Sequence, residues 1–320
     1  MSHGSLEISN SSRLYSANKK TGVMYFLKKD WALYLLLVIP VLFYVVFLYL
    51  PMYGLIIAFK EFNPFIGFFG GDFVGFGIFR EIFKMSDFTN AVRNTLVLNT
   101  VALIFYFPCP IILAIMLNEL KKSFLKSTIQ SLIYLPYFIS WIIIGGMVYQ
   151  ILSEQSGAIN ILLKTLGLHT IPFLTNGNWW IVAFVGTLIW QATGYNAIVY
   201  LAAITGINTE LYEAAIVDGC GKIRLTWHIT LPCIKPVIVI MMILAIGGIM
   251  NIGFDRAIAL YNPLVSENAD VISLFIYRVG LQNGRYSAAT AIGLFQGIIN
   301  LVMLSGANFI AKKLGEDGVW

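Results

Sequence analysis

The stretch Glu213-Ala214-Ala215-Ile216-Val217-Asp218-Gly219 decides how this chain is read, and Leu231-Pro232 closes the segment thirteen residues after Asp218. Asn208 stands where a helix N-cap belongs, and Glu210 in the first turn suits the helix dipole. Leu211, Ala214, Ala215 and Asp218 recur at i, i+3, i+4 and i+7, so on a helix they share one face. Two alanines keep that face small enough to lie deep in a groove, and Glu213 can meet a basic residue at its rim. Gly219 and Gly221 are expected to stop the helix, because glycine takes the left-handed conformation without cost. A second short helix is expected over Lys222 to Thr230, ending before Pro232, since proline disfavours helix at the residue before it. Helix, glycine turn, helix and proline make a rigid elbow that transmits force rather than absorbing it. An alanine-rich connector with an Asp-Gly turn is common on its own. The full set at this spacing is what separates this loop from a plain connector.

Around that loop the chain is membrane-like. Of 320 residues, 58% are hydrophobic and 12% charged, about half the charged share of a soluble domain. The first thirty residues are polar and basic and do not read as a cleavable signal. Spans of about 20 apolar residues fall at 32–52, 91–117, 129–152, 179–203, 234–254 and 286–311. With the N-terminus inside, the inner segments carry thirteen Lys and Arg and the outer ones eight, which favours both termini in the cytoplasm. The polar loop at about 204–233 is then cytoplasmic. Trp31, Trp179 and Trp180 fall at membrane interfaces. The domain plan is a basic cytoplasmic segment 1–30, with Lys19, Lys20, Lys28 and Lys29 placed to meet anionic lipid, a six-span body 31–312 and a tail 313–320.

The outer loops, about 60–90, 153–178 and 255–285, are too long for simple turns. The first holds Phe65-Ile66-Gly67-Phe68-Phe69-Gly70-Gly71-Asp72 and is expected to pack on the membrane surface or a partner. Cys109, Cys220 and Cys233 lack ligand or disulfide spacing, and His3, His169 and His228 lie near no nucleophile, so neither metal site nor catalytic centre is expected. No GxxxxGK[ST] run exists for nucleotide phosphates, and no nucleic-acid motif stands out.

The loop resembles the EAA motif of permease subunits in binding-protein-dependent ABC importers of the maltose-transporter type. Glu213, Ala214, Ala215, Asp218 and Gly219 match its core and Leu231-Pro232 its close, while Cys220 replaces the usual alanine. Tyr277-Arg278-Val279-Gly280-Leu281, the run from Tyr286-Ser287-Ala288-Ala289-Thr290 to Phe295, and Leu260-Tyr261-Asn262-Pro263-Leu264 are similar to the LplB-like, complex-polysaccharide branch. The resemblance implies an all-α, six-helix integral membrane bundle of MetI-like type in a bacterial inner membrane. It implies a non-catalytic subunit that pairs with a second permease and docks on two ATPase subunits, a homodimer, which alone bind ATP. It implies that Glu213, Ala214, Ala215, Asp218, Gly219 and Pro232 form the coupling element. It also implies that a soluble binding protein delivers an oligo- or polysaccharide, with an acidic, alginate-like polymer as one option. Eight outer acids balance the eight outer bases, so no strong field selects for an anion.

Polar groups in a bilayer are costly and face a cavity or a neighbour. Gln191, Tyr195 and Asn196 in the fourth span, Asn251 at the end of the fifth and Gln296 in the sixth are the candidate lining of a sugar pathway. Amides and aromatic faces suit hydroxyls and sugar rings. Helix-to-helix bonding of about 0.6 kcal/mol each is the competing account. Asp255 and Arg256 are expected to pair with each other or with a partner at the outer surface. Pro108-Cys109-Pro110 should kink the second span, and Gly145-Gly146 and the Gly293/Gly297 pair should let helices approach closely. A permease for a non-sugar solute, a membrane-embedded enzyme and a secondary transporter are the other readings. The last two lack the clustered His, Asp or Ser and the charged relay residues that they require.

Overall fold

The computed structural model describes residues 29–67, 70–120 and 123–320. The basic segment 1–30 lies outside these apart from Lys29 and Asp30, as do Phe68, Phe69, Lys121 and Lys122. The chain is all-α: among the described residues only one isolated bridge, Lys60 to Phe73, has extended pairing. Five helices are long and apolar enough to cross a membrane, and a bent pair makes a sixth.

Trp31 to Leu55 form one unit and Ile56–Trp320 the other. In the first, α1 (Trp31–Tyr44) runs on through a π turn (Val45–Tyr49) into a 3-10 stretch (Leu50–Phe59). Its large apolar side chains are exposed, Leu36 at 67% and Phe47 at 64%, as a helix facing lipid or another subunit requires.

In the second unit, α2 (Gly77–Ile82) precedes the second span, α3 (Ser86–Phe105) and α4 (Pro108–Asn118). The α-helical pattern is interrupted at Tyr106 and Phe107, where Pro108 and Pro110 withdraw N–H donors, and Ser86–Asn118 runs on as one span. The third span departs from expectation. Instead of one helix over 129–152, α5 (Ser123–Tyr134) and a 3-10 turn (Leu135–Phe138) meet α6 (Trp141–Leu152) at a bend of 100°. Ile139 and Ser140 are extended, with ψ of 130° and 147°. Pro136 starts the disruption, and uniform apolar composition hides it from a hydropathy reading.

After α7 (Ala158–Thr165), the long α8 (Gly177–Thr205) forms the fourth span. Then come α9 (Thr209–Val217), α10 (Lys222–Leu225), a π turn (Thr226–Thr230) and α11 (Leu231–Gly247). The outer segment 254–277 holds α12 (Phe254–Ala259), α13 (Ser266–Ala269) and α14 (Ile272–Tyr277), and α15 (Tyr286–Lys313) is the last span. Gly145 fits its prediction, since a Cβ there would meet the Ala259 carbonyl at 2.4 Å. Gly293 and Gly297 do not: both are exposed with open space around them, because α15 turns that face away from the described helices.

The outer loops are folded by buried amides. Asn160, fully buried, donates to the Ser153 and Ile171 carbonyls at 3.1 and 2.9 Å and accepts from the Ile171 N–H at 2.8 Å. Asn94 donates to the Glu267 and Asp270 carbonyls, Thr95 Oγ1 accepts from the Ile272 N–H, and Arg278 pairs with Asp270. Trp180 is not at an interface as expected. It is 2% exposed, stacks on Phe184, and donates from Nε1 to the Leu260 carbonyl at 2.8 Å. That bond ties α8 to the outer segment and explains why an amphipathic ring sits inside.

Candidate functional site

The polar loop between the fourth and fifth spans is built as a closed elbow. Asn208 caps α9: its Oδ1 accepts from the Glu210 N–H and its Nδ2 donates to Glu210 Oε2, both at 3.0 Å. At the other end the Cys220 N–H donates to the Ala215 carbonyl at 2.9 Å and the Gly219 N–H to the Ile216 carbonyl at 3.0 Å. Gly219 has φ +79°. This is the Schellman closure, and it needs a residue free to adopt the left-handed region. Gly221, with φ −78°, is the extended N-cap of α10 rather than a stop.

Two contacts absent from the sequence reading fix the elbow. Tyr212 Oη lies 3.0 Å from Thr230 Oγ1, holding α9 to the π turn. Lys222 Nζ donates to Glu119 Oε2 at 2.6 Å, tying the loop to the end of α4. Neither could be found from local spacing, because each joins segments far apart in sequence. Tyr212 therefore marks the inward face of α9, with half-buried Ala215 beside it. The expected single face divides: Leu211, Glu213, Ala214, Asp218 and Gly219 are exposed. So are Ile216 at 59% and Val217 at 86%, with Ile223 and Trp227 nearby at 77% and 66%.

Pro232 does not end a helix. The helix runs through it from Lys222 to Gly247. The π turn makes this possible, with the Leu231 N–H reaching back to the Thr226 carbonyl. The wider turn absorbs the proline ring where a regular turn would clash. The exposed ring of Pro232 thus marks the base of the span.

The pathway candidates separate into two groups, and each clasps a break in a span. At the break in the third span, Gln191 donates to the Tyr137 carbonyl at 3.1 Å, and the ring of Tyr195 stacks on that of Tyr137 at 3.9 Å. Gly194 allows this approach, since a Cβ there would meet the Ile133 carbonyl at 2.2 Å. Asn196 turns back to the Ala192 carbonyl of its own helix. The fifth span stops at Gly247, short of the expected 254, and the chain unwinds over 248–253. There Asn251 Oδ1 accepts from Gln296 Nε2 at 2.8 Å and Asn300 Nδ2 at 3.0 Å. Gln296 also donates to the Met250 carbonyl, Asn300 accepts from the Met250 N–H, and Asn99 donates to the Ile249 carbonyl at 2.6 Å. Asn99 was not singled out from sequence, although an asparagine inside an apolar span was the available signal. Backbone freed inside a membrane must find partners of this kind. Broken spans with polar clasps are the usual place for a solute route. Arg256 departs from expectation: it is buried, and the ion pairs among the described residues do not include it or Asp255.

Apolar spans broken in two places, with a stiff polar elbow between the fourth and fifth, define a multi-pass membrane permease. The chain belongs to the binding-protein-dependent transport system inner membrane component family, which it matches over residues 107–315. It is 41% identical to Protein LplB of Bacillus subtilis (strain 168) over 95% of this chain and 96% of that one. It is 38% identical to the polygalacturonan/rhamnogalacturonan transport system permease protein YteP of the same organism, over 96% of each. A chain in the crystal structure of a bacterial alginate ABC transporter, in complex with an alginate pentasaccharide-bound periplasmic protein, superposes with a TM-score of 0.84. It shares 40% identity and covers 93% of this chain and 99% of that one.

Proposed function

We propose that this chain is one permease subunit of an ABC importer for oligo- or polysaccharide in a bacterial inner membrane, with both termini cytoplasmic. A second permease completes the pore, and two separate ATPase subunits bind and hydrolyse ATP. The chain itself is non-catalytic and holds no cofactor. The observation that carries this reading is the exposed α9 face, with Glu213, Ile216 and Val217 uncovered on an elbow made stiff by its cap, the Gly219 turn and the Tyr212 contact. A rigid element that ends in an uncovered apolar patch is built to be gripped. Glu213, Ala214, Ala215, Asp218, Gly219 and Pro232 would then carry ATPase motion into α11.

A solute-binding protein would deliver saccharide to the outer face. The two polar clasps, with Gln191 and Tyr195 at one and Asn251 and Gln296 at the other, would border its route, with Asn196 on the same helix as the first. The saccharide class is supported by relatives whose names specify polygalacturonan/rhamnogalacturonan, arabinooligosaccharides and alginate. The test is to purify the chain from membranes and assay ATP hydrolysis with saccharide-loaded binding proteins. Co-purification of a second permease and an ATPase, with saccharide-stimulated hydrolysis, is the expected result. A chain that purifies alone and without stimulated hydrolysis would refute the reading.

A further inference from the structure

Among the described residues, Arg256 is a guanidinium that is buried yet unpaired. It is 8% exposed, its Nε has no acceptor, and no carboxylate pairs with it. Its guanidinium carbon lies 4.6 Å from the ring centroid of Phe184 and 5.8 Å from that of Trp141. Burial lowers its pKa to about 10, which leaves it charged at neutral pH. Cation–π contacts return about 0.5–2 kcal/mol, less than the several kcal/mol that a buried ion costs. The arrangement lacks an anion.

The surroundings say what anion fits. Trp141 is the first residue of α6, just past the break at Ile139 and Ser140, and no side chain caps that helix end. The unpaired guanidinium thus lies against the ring of the first residue of α6, a helix whose N-terminus no side chain caps, and guanidinium and helix N-terminus each favour negative charge. Across the break, Tyr137 and Tyr195 stack with an interplanar angle of 4°, and Phe138 stands edge-on to both. Tyr106 is within electrostatic reach of both Tyr137 and Arg256. Aromatic faces on one side and a carboxylate receptor on the other suit a sugar ring that bears an acid.

We infer that Arg256 is a specificity-determining residue that receives the carboxylate of a uronate, making this transporter selective for anionic saccharides. The inference rests on the saccharide reading proposed above. The carboxylate would bind the guanidinium fork in the bidentate manner open to arginine and not to lysine.

The test uses the transporter assembled with its partner subunits. D-galacturonate should raise the thermal midpoint of the wild type more than D-galactose does, and Arg256→Gln should abolish the difference. In uptake, short oligogalacturonates should be preferred to the same chains methyl-esterified. Arg256→Gln should reduce that preference about tenfold or more, the discrimination expected for a charge-assisted pair, and Arg256→Lys should retain part of it. Arg256→Met separates recognition from folding. Removing an unpaired buried charge should raise the unliganded midpoint, whereas loss of a structural anchor would lower it. Equal response to acid and neutral sugar in the wild type, or acid preference kept in Arg256→Gln, would overturn the inference. Saccharide uptake by the wild type with no preference for the acid would leave the saccharide reading standing and this inference fallen. The absence of any saccharide uptake would fell the saccharide reading itself, whatever galacturonate does to the midpoint.

Discussion

The segments 153–178 and 254–277 and the elbow between the fourth and fifth spans solve the same problem, folding a long loop on a membrane bundle, in different ways. In 153–178 and 254–277 polar groups are bonded and buried: Asn160 makes three bonds at full burial, and Asn94 of α3 and Trp180 of α8 donate to three carbonyls of 254–277. In the elbow, α9 and α10 are pinned by Tyr212 and Lys222 and leave Val217, Ile216 and Ile223 uncovered. The segments 153–178 and 254–277 tie their polar groups down within the chain, although Leu162, Leu166 and Leu264 are exposed there at 59%, 66% and 75%. The elbow is stiff and carries an uncovered apolar patch, the surface on which the proposed ATPase would dock.

The largest effect that would break this comparison lies in 153–178. Asn160→Ala removes three hydrogen bonds and strands the Ile171 N–H, so we expect about 3 kcal/mol of lost stability, read as a lower thermal midpoint of the purified chain. Val217→Asp should do the opposite. It should leave the midpoint unchanged, since the side chain is 86% exposed. It should weaken ATPase docking by about 2 kcal/mol or more, the scale of an interface hot spot, measured by co-purification at rising detergent wash. Tyr212→Phe should cost about 1 kcal/mol for one hydrogen bond and loosen the elbow, visible as faster amide exchange in α9. The smallest effect belongs to Lys222→Ala. The ion pair with Glu119 is exposed, so under about 1 kcal/mol is expected, and the difference from wild type should vanish at high salt. An Asn160→Ala protein as stable as wild type, or a Val217→Asp protein that unfolds, would erase the distinction between the two regions.

Three Leu-Pro pairs show what sequence could and could not tell. A π turn precedes Leu50-Pro51 and Leu231-Pro232, after which the span runs on, as a 3-10 stretch to Phe59 in the first case and as an α-helix to Gly247 in the second. At Leu135-Pro136 the helix tightens into a 3-10 turn and then bends by 100°. The local signal is the same, and the outcome is set by neighbours. Gln191 takes a carbonyl next to the third pair, and Gly194 lets α8 press against Ile133. Number and placement of spans, the Asn208 cap and the Gly219 stop were legible because composition and local backbone chemistry determine them. The Tyr212 and Lys222 contacts, the Asn99 clasp and the burial of Trp180 and Arg256 were not, since each depends on which helices meet. The division of the α9 face was missed for a related reason. Helical periodicity gives a common face but not the side that turns inward, and the Tyr212 contact with Thr230 decides that.

The central claim is that the exposed end of α9 transmits work. The direct measurement is saccharide-stimulated ATP hydrolysis and uptake by the reconstituted transporter carrying Glu213→Lys. The substitution sits on an exposed position and reverses charge at the grip without touching the cap, the Gly219 turn or the Tyr212 contact. The account predicts normal expression and folding with stimulated hydrolysis and uptake lost together. Wild-type stimulation and uptake in this variant would contradict it and reduce the elbow to a connector between two spans.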